Sequence, residues 1–437
     1  MENTSHITSK MRIRIETVTL SHIKNIEQGS ASFQDGNDVS SHGAGILGVF
    51  GQNGSGKTAL IDAVHLFKDL VSDEPLDAFS PFLINVEKKE GEVEITTHLS
   101  DDNHEFLVYY RFRLALAPNN HLRVSQERLD YQDLKTKQRK RTILKSESLI
   151  DHIVFKKGSH SLRLLKTSNL DHSVIFNSKH LKEITSLLSE EENLIIRTLQ
   201  SYARDNILII NNFSNRDFRT KDEFPLIYYA SVNGNHQQIM RLKYGSNHLN
   251  QEDFHLFDVI VTKISQLLDK ILPSIKLTYQ HLEKEKIHIV ELMTNRDGVK
   301  LPLKYESVGV KKLVLVLGAL ISMYNSSSVF VAIDEMDAGI FEYLLGEMLI
   351  ILKEEGLGQL LFTSHNLRPL EILNPYQVIF TSQNPKNRYV SLKKKPHSNL
   401  RDLYLRSIEL GGQKHDVYQT TDQYEISRAF RLAGEKE

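Results

Sequence analysis

Ile46-Leu-Gly-Val-Phe-Gly-Gln-Asn-Gly-Ser-Gly-Lys-Thr58 is the stretch that decides the fold. Its first five residues are a short apolar run, the pattern of a parallel strand buried on both faces. Gly-x-x-x-x-Gly-Lys-Thr follows at once, and Leu60, Ile61, Val64 and Phe67 then recur at helical spacing. Strand, glycine loop and helix in that order form a phosphate cradle, the P-loop. Gly51, Gly54 and Gly56 let backbone N–H groups turn inward without Cβ clashes, with Asn53 and Ser55 between them. The helix N-terminus adds its partial positive charge. Lys57 is placed to bridge the β- and γ-phosphates of ATP, and the Thr58 hydroxyl to ligate Mg²⁺. A chance glycine-rich turn does not account for the whole motif with both of its flanks.

A P-loop needs an acidic partner at the end of another strand to hold Mg²⁺. Asp73-Glu74 and Asp222-Glu223 lack an apolar strand before them, whereas Asp334-Glu335 follows the run Val329–Ile333. Asp334 is therefore expected to hold Mg²⁺ through water, and Glu335 to act as general base on the attacking water. This pair lies roughly 280 residues beyond the P-loop, far further than in AAA+ modules or small GTPases. No Asn-Lys-x-Asp guanine reader is present. The gap suits a split ATPase with a large insertion between its lobes.

The rest of the chain is divided accordingly. Residues 11–126 read as an N-terminal lobe with the P-loop and an antiparallel β subdomain. Arg12–Leu20 alternates, a second strand is expected near Ala31–Phe33, and Gly91–Leu99 and Phe106–Leu116 flank a turn at Asp101–His104. Residues 127–285 are expected to be a mainly helical insertion, with helices such as Leu181–Tyr202 and Phe254–Ile271. Residues 286–437 form the C-terminal lobe. It opens with a hairpin, Ile287–Met293 and Val299–Tyr305 around Asn295-Arg-Asp-Gly298. Helices over Val310–Tyr324 and Ile340–Glu354 then alternate with the strand runs Val329–Ile333 and Gln359–Phe362. There is no internal repeat and no sustained heptad pattern.

Composition excludes some chemistries. None of the 437 residues is cysteine, so disulfides, cysteine zinc sites and thiol catalysis are ruled out. The formal charge of −1 gives no overall basic or acidic field. No run of eighteen apolar residues occurs and the first ten residues are polar, so neither a transmembrane helix nor a signal peptide is expected. A cytoplasmic protein without a membrane partner is the expectation. Two basic runs, Lys135–Arg141 and Lys393–Lys395, are candidates for phosphate-backbone contact, and they leave a nucleic-acid partner open.

Beyond the P-loop and the acidic strand end, several stretches resemble the ABC-type ATPase heads of SMC-like and OLD-like proteins. The narrower resemblance is to single-chain bacterial ATPases of anti-phage defence, of abortive-infection, retron and PARIS type. Ser21-His-Ile-Lys-Asn-Ile26 resembles that family's first strand-turn, and Asn53 is typical of its P-loops. Glu306-Ser-Val-Gly-Val-Lys-Lys312 stands where the family keeps its signature motif, Asp337-Ala-Gly339 where its D-loop lies, and Thr363-Ser-His365 where its switch histidine lies. The resemblance implies an α/β head with a mixed sheet, and two protomers sandwiching two ATP molecules. Ser307 and Gly309 are then expected to contact the γ-phosphate held by the other protomer, and His365 to stabilise developing charge on it. The signature departs from Ser-Gly-Gly-Gln, so transporter mechanics do not transfer. Ser80–Asn85 is the candidate Q-loop. Roughly 70 residues follow His365 without the acidic metal-binding pattern of OLD-type nucleases, so no built-in nuclease is expected. The implied function is a nucleotide-dependent dimeric sensor or regulator in phage defence, controlling a separate effector. The alternatives are a DNA-repair or recombination ATPase that grips DNA directly, and a scaffold that hardly turns ATP over.

Overall fold

The computed structural model describes the chain except for residues 1–10, 34–42, 77–78, 118, 149–151, 159, 166–170, 212–222, 231–235, 392–398, 411–415, 419–420 and 435–437. A hairpin of β1 (Arg12–Ile23) and β2 (Ile26–Ser32) precedes β3 (Gly45–Phe50) and the long helix α1 (Lys57–Val71). Then come β4 (Glu90–Ser100), β5 (Glu105–Leu116), β6 (Leu122–Asp133), β7 (Arg141–Ser148), β8 (His152–Lys157) and β9 (His160–Leu165). Helices α2 (Ser178–Thr185) and α3 (Glu190–Asn206) lead into β10 (Ile207–Ile210). A hairpin, β11 (Glu223–Ala230) and β12 (His236–Lys243), is followed by β13 (Asn247–Leu249), α4 (Gln251–Ile271), β14 (Ile275–Lys284), β15 (Ile287–Arg296) and β16 (Val299–Pro302). The final stretch runs α5 (Val308–Asn325), β17 (Phe330–Ile333), α6 (Glu342–Glu355), β18 (Gln359–Ser364) and the short α7 (Pro369–Ile372). It ends with β19 (Val378–Thr381), β20 (Tyr389–Val390), α8 (Leu400–Leu410) and α9 (Gln423–Gly434).

The central sheet has the order β10-β17-β18-β3-β19-β20, parallel except for β20. Its strands are fully buried because alternate residues serve two cores. Leu47, Val49, Ala332, Leu361 and Ile379 join α1 and the antiparallel sheet in one core. Ile46, Phe50, Val331, Ile333, Phe362 and Phe380 join α4, α5 and α6 in the other. Helix α1 lies between sheets and is buried nearly all round, as its apolar composition demands. The second sheet is antiparallel, in the order β2-β1-β4-β5-β6-β7-β8-β9. It is tied to the first by a side chain: Gln359 accepts from the Ile15 amide at 2.8 Å and donates to the Ile15 carbonyl at 2.7 Å.

The antiparallel pair expected at 91–116 is β4 and β5, and the Asn295–Gly298 turn joins β15 to β16. The mainly helical insertion over 127–285 needs correction. Residues 122–165 continue the antiparallel sheet as β6 to β9, and α2, α3 and α4 are the helices of a mixed segment. The reason is a period-two pattern broken by polar residues. Val124, Leu129, Tyr131, Ile143, Ile153 and Phe155 are buried on strands whose other residues are mostly polar or charged. Short polar runs of this kind separate poorly from helical spacing. Among the described residues one helix, Val308–Asn325, is long and apolar enough to cross a membrane by length and composition, but two thirds of it is buried in the core of this fold.

Candidate functional site

Residues 51–56 leave the centre of the parallel sheet and turn on glycine. Gly51, Gly54 and Gly56 have φ of 152°, 73° and 99°. A Cβ on Gly51 would lie 1.7 Å from Thr381 Oγ1, so no other residue fits there without moving β19. The loop is held from three sides. Thr381 Oγ1 donates to Ser55 Oγ at 2.6 Å, Asn25 Nδ2 to the Gly54 carbonyl at 2.6 Å, and the Tyr389 hydroxyl to the Gly56 carbonyl at 2.8 Å. Burial raises the Tyr389 phenol well above its ordinary value, which keeps it a donor. Asn25 reaches the loop because the β1–β2 turn is tight, with Lys24 at φ 50°.

Lys57 donates to the carbonyls of Gly51 at 2.8 Å and Gln52 at 2.9 Å. Burial lowers its pKa, and Asp334, Glu335 and Asp337 oppose that shift. The Thr58 hydroxyl donates to Asp334 at 3.1 Å. Asp334 also accepts from Thr363 Oγ1 at 2.6 Å, and that hydroxyl accepts in turn from the Glu335 amide at 2.7 Å. Glu335 is held at φ 47°, a left-handed conformation that is uncommon for a residue with a side chain. Asp337 accepts from the His365 and Asn366 amides at 3.2 and 3.1 Å, which joins the loop after β17 to the end of β18.

Asn53, Gly54, Gly56, Lys57, Thr58, Asp334, Glu335 and His365 line one cavity of about 330 Å³, together with Lys24, Asn25 and Ala59. A hydroxyl and a carboxylate within 3.1 Å are hard oxygen donors that suit Mg²⁺, an ion that takes few protein ligands and keeps several waters. The inward-turning loop at the α1 N-terminus, with the Lys57 ammonium, suits a polyphosphate.

Ser307 and Gly309 stand apart from that cavity. Ser307 caps α5 by accepting from the Val310 amide at 3.3 Å. The cap sits on a half-exposed ion pair whose carboxylate is buried, with Arg296 donating to Glu306 at 2.7 and 3.0 Å and Thr294 at 2.6 Å. Arg296 holds the Glu306 carboxyl below its usual range. Gly309 is in backbone contact with Gly339, whose oxygen would lie 2.2 Å from a Cβ on Gly309. Around this cap Tyr305, Val308, Phe341 and Tyr343 are exposed. Ser80–Asn85 does not line the cavity either; it packs under the β1–β2 turn, where the Leu83 carbonyl accepts from the Lys24 amide at 2.7 Å.

Asn25, Thr363, Thr381, Tyr389 and Lys312 complete the site's framework and were not singled out as site residues from sequence. Thr363, Asn25 and Lys312 stand within stretches quoted for the resemblance, and nothing local pointed to Thr381 or Tyr389. Of the basic runs, Lys135 donates to the Asp102 carbonyl at 2.6 Å, and Lys140 sits 3.4 Å over the Tyr109 ring and pairs with Asp130. Lys393–Lys395 and Asp222 lie outside the described residues.

A family model described as "AAA domain, putative AbiEii toxin, Type IV TA system" matches residues 46–386, from β3 to the turn before β20. No curated protein matches the chain. Among solved structures, the Smc head bound to the C-winged helix domain of ScpA is 15% identical with a TM-score of 0.48, covering 87% of this chain and 98% of that one. The SMC head domain from Thermotoga maritima is 14% identical with a TM-score of 0.36, over 87% and 100% of the two chains. The recombination mediator RecF is 11% identical with a TM-score of 0.40, over 88% and 100%.

Proposed function

Because the chain belongs to the AAA-domain family whose model spans its residues 46–386, we propose that it binds and hydrolyses ATP as an ABC-type head. The observation that carries this reading is the convergence of the Thr58 hydroxyl, Asp334 and Glu335 on the P-loop cavity, with His365 on its rim. When bound, Mg²⁺ neutralises phosphate charge and helps orient the phosphates. Asn53 to Thr58 cradle the phosphates, and Thr58 and Asp334 hold the ion. Lys57 exchanges its loop carbonyls for phosphate oxygens. Glu335 takes a proton from the attacking water, and His365 stabilises the charge that develops on the γ-phosphate.

The site is completed by a second copy of the chain. Ser307 and the Gly309 backbone form a helix N-terminus that faces outward amid exposed apolar side chains, away from this protomer's own cavity. ATP binding therefore acts as a switch between a closed dimer and an open state with different affinity for a partner. The family description, which names a toxin–antitoxin system, supports a role in defence. In that role the chain is a cytoplasmic sensor or regulator and a separate effector supplies toxicity. Direct DNA gripping, the alternative, is not favoured by Lys135–Arg141, since Lys135 and Lys140 are tied to the protein's own groups.

Glu335→Gln tests the reading. Binding of ATP with Mg²⁺ should persist, turnover should fall on the order of 10²-fold or more, and a stable dimer should accumulate in light-scattering chromatography. A Glu335→Gln protein that stays monomeric with saturating ATP, or that hydrolyses at the parent rate, would overturn it.

A further inference from the structure

Lys312 is a buried cation with no part in the scheme above. It lies on the second turn of α5, five residues beyond the cap Ser307, and only 2% of it is exposed. A lone buried ammonium is costly unless its donors are used. Lys312 Nζ donates to the backbone carbonyl of Glu335. Asp334, Glu335 and Asp337 surround it with negative charge, which offsets part of the desolvation that lowers its pKa.

That contact closes a clamp. The Glu335 peptide is gripped at its amide by Thr363 from β18 and at its carbonyl by Lys312 from α5. Between them the residue stays at φ 47°, a left-handed conformation that an L-residue rarely adopts when unsupported. A second link lies one turn earlier, where Gly309 and Gly339 are in backbone contact. The first two turns of α5 and residues 334–339 are thus joined at two points.

We infer that Lys312 is a positioning residue that fixes the Glu335 carboxylate for its water and makes the helix bearing Ser307 and Gly309 move as one body with that glutamate. The inference rests on the proposed ATPase reading and deepens it. Engagement of Ser307 by the partner's nucleotide is then felt by the base that serves this protomer's own nucleotide. Lys312 touches neither nucleotide; it acts through the Glu335 backbone.

The test compares Lys312→Met and Lys312→Arg with the parent in the full chain. Met keeps the length and fills the volume, while Arg keeps the donor. Lys312→Met should lower kcat on the order of 10²-fold, the loss expected when a catalytic group is misplaced by about an ångström. The KM for ATP and the affinity for ATP should stay within about twofold, since phosphate and Mg²⁺ groups are untouched. Lys312→Arg should recover part of that kcat. Amide hydrogen exchange without nucleotide supplies a readout independent of turnover: a peptide covering 335–340 should exchange faster in Lys312→Met, and one covering 51–58 should not. A parent that fails to hydrolyse ATP defeats the ATPase reading, yet leaves the exchange measurement to judge the clamp. Unchanged exchange over 335–340, or kcat and ATP affinity lost in parallel with thermal stability, would overturn the positioning role.

Discussion

Thr363→Val is the substitution whose outcome the structure specifies most closely. Valine keeps the branched shape on β18 at a position with no solvent exposure and removes only the hydroxyl. That hydroxyl makes two bonds, donating to Asp334 at 2.6 Å and accepting from the Glu335 amide at 2.7 Å. A hydrogen bond to a charged acceptor contributes about 1.5–3 kcal/mol, and a buried amide left without a partner costs about 1–3 kcal/mol. The two losses overlap, because Asp334 keeps the Thr58 hydroxyl at 3.1 Å and can draw closer to it. With that overlap, a net loss of about 3 kcal/mol is expected. Urea unfolding in the absence of nucleotide and Mg²⁺ would measure it, in a cycle with Asp334→Ala and the double variant. The expected coupling is about 2 kcal/mol, because either single change removes the same bond. If Thr363→Val unfolds within about 0.5 kcal/mol of the parent, or the cycle is additive, the hydroxyl does not bridge the two acidic residues as described.

Two further outcomes follow from other parts of the molecule. Gly51→Ala drives a methyl into Thr381 Oγ1, and the strain of on the order of 1–3 kcal/mol should weaken ATP binding about tenfold or more; titration with a fluorescent ATP analogue would read this. Glu127 is fully buried and accepts from Ser173 Oγ and the Val174 amide at 2.6 Å, and from the Ile175 amide at 3.1 Å; burial nevertheless raises its pKa. Its folded pKa therefore exceeds the unfolded value of about 4.3, so its contribution is fully present below that value and is lost as pH rises through the folded pKa. Unfolding midpoints across this range should fall with pH more steeply in the parent than in Glu127→Gln, and parallel curves would contradict the assignment.

The parallel core and the phosphate loop were legible because each carries a local pattern. Ile46–Phe50 and Val329–Ile333 are unbroken apolar runs, Gln359–Phe362 is apolar after its first residue, and buried parallel strands require such runs. Val378–Thr381 and Ile207–Ile210 belong to the same sheet, yet the first follows directly on a turn at Pro375–Gln377 and the second on α3, so neither stood out. The antiparallel strands beyond residue 122 were lost for a different reason. Their outward face carries Arg128 opposite Lys145, with Asp130 paired to Arg128 along the same strand, and that charge masked the alternation. At the candidate site, residues on the motif were readable and those that hold the motif were not. Asn25, Thr381 and Tyr389 reach the loop through contacts spanning up to 333 positions, and no local spacing encodes these. Lys312 looks like half of an exposed Lys-Lys pair, and only the packing of α5 on residues 334–339 turns it inward.

The Gln359 side chain has a mechanical meaning. By bonding both backbone groups of Ile15 it behaves as one rung of a ladder between two sheets that share no strand pairing among the described residues. A pull or twist applied along the broad antiparallel sheet has β1 as its inner beam, and this rung passes the load to the first residue of β18. β18 is six residues long, and its far end carries Thr363 and runs straight into His365. The antiparallel sheet is therefore a handle fixed to the strand that ends at the P-loop cavity, and a load on it bears on both residues at once.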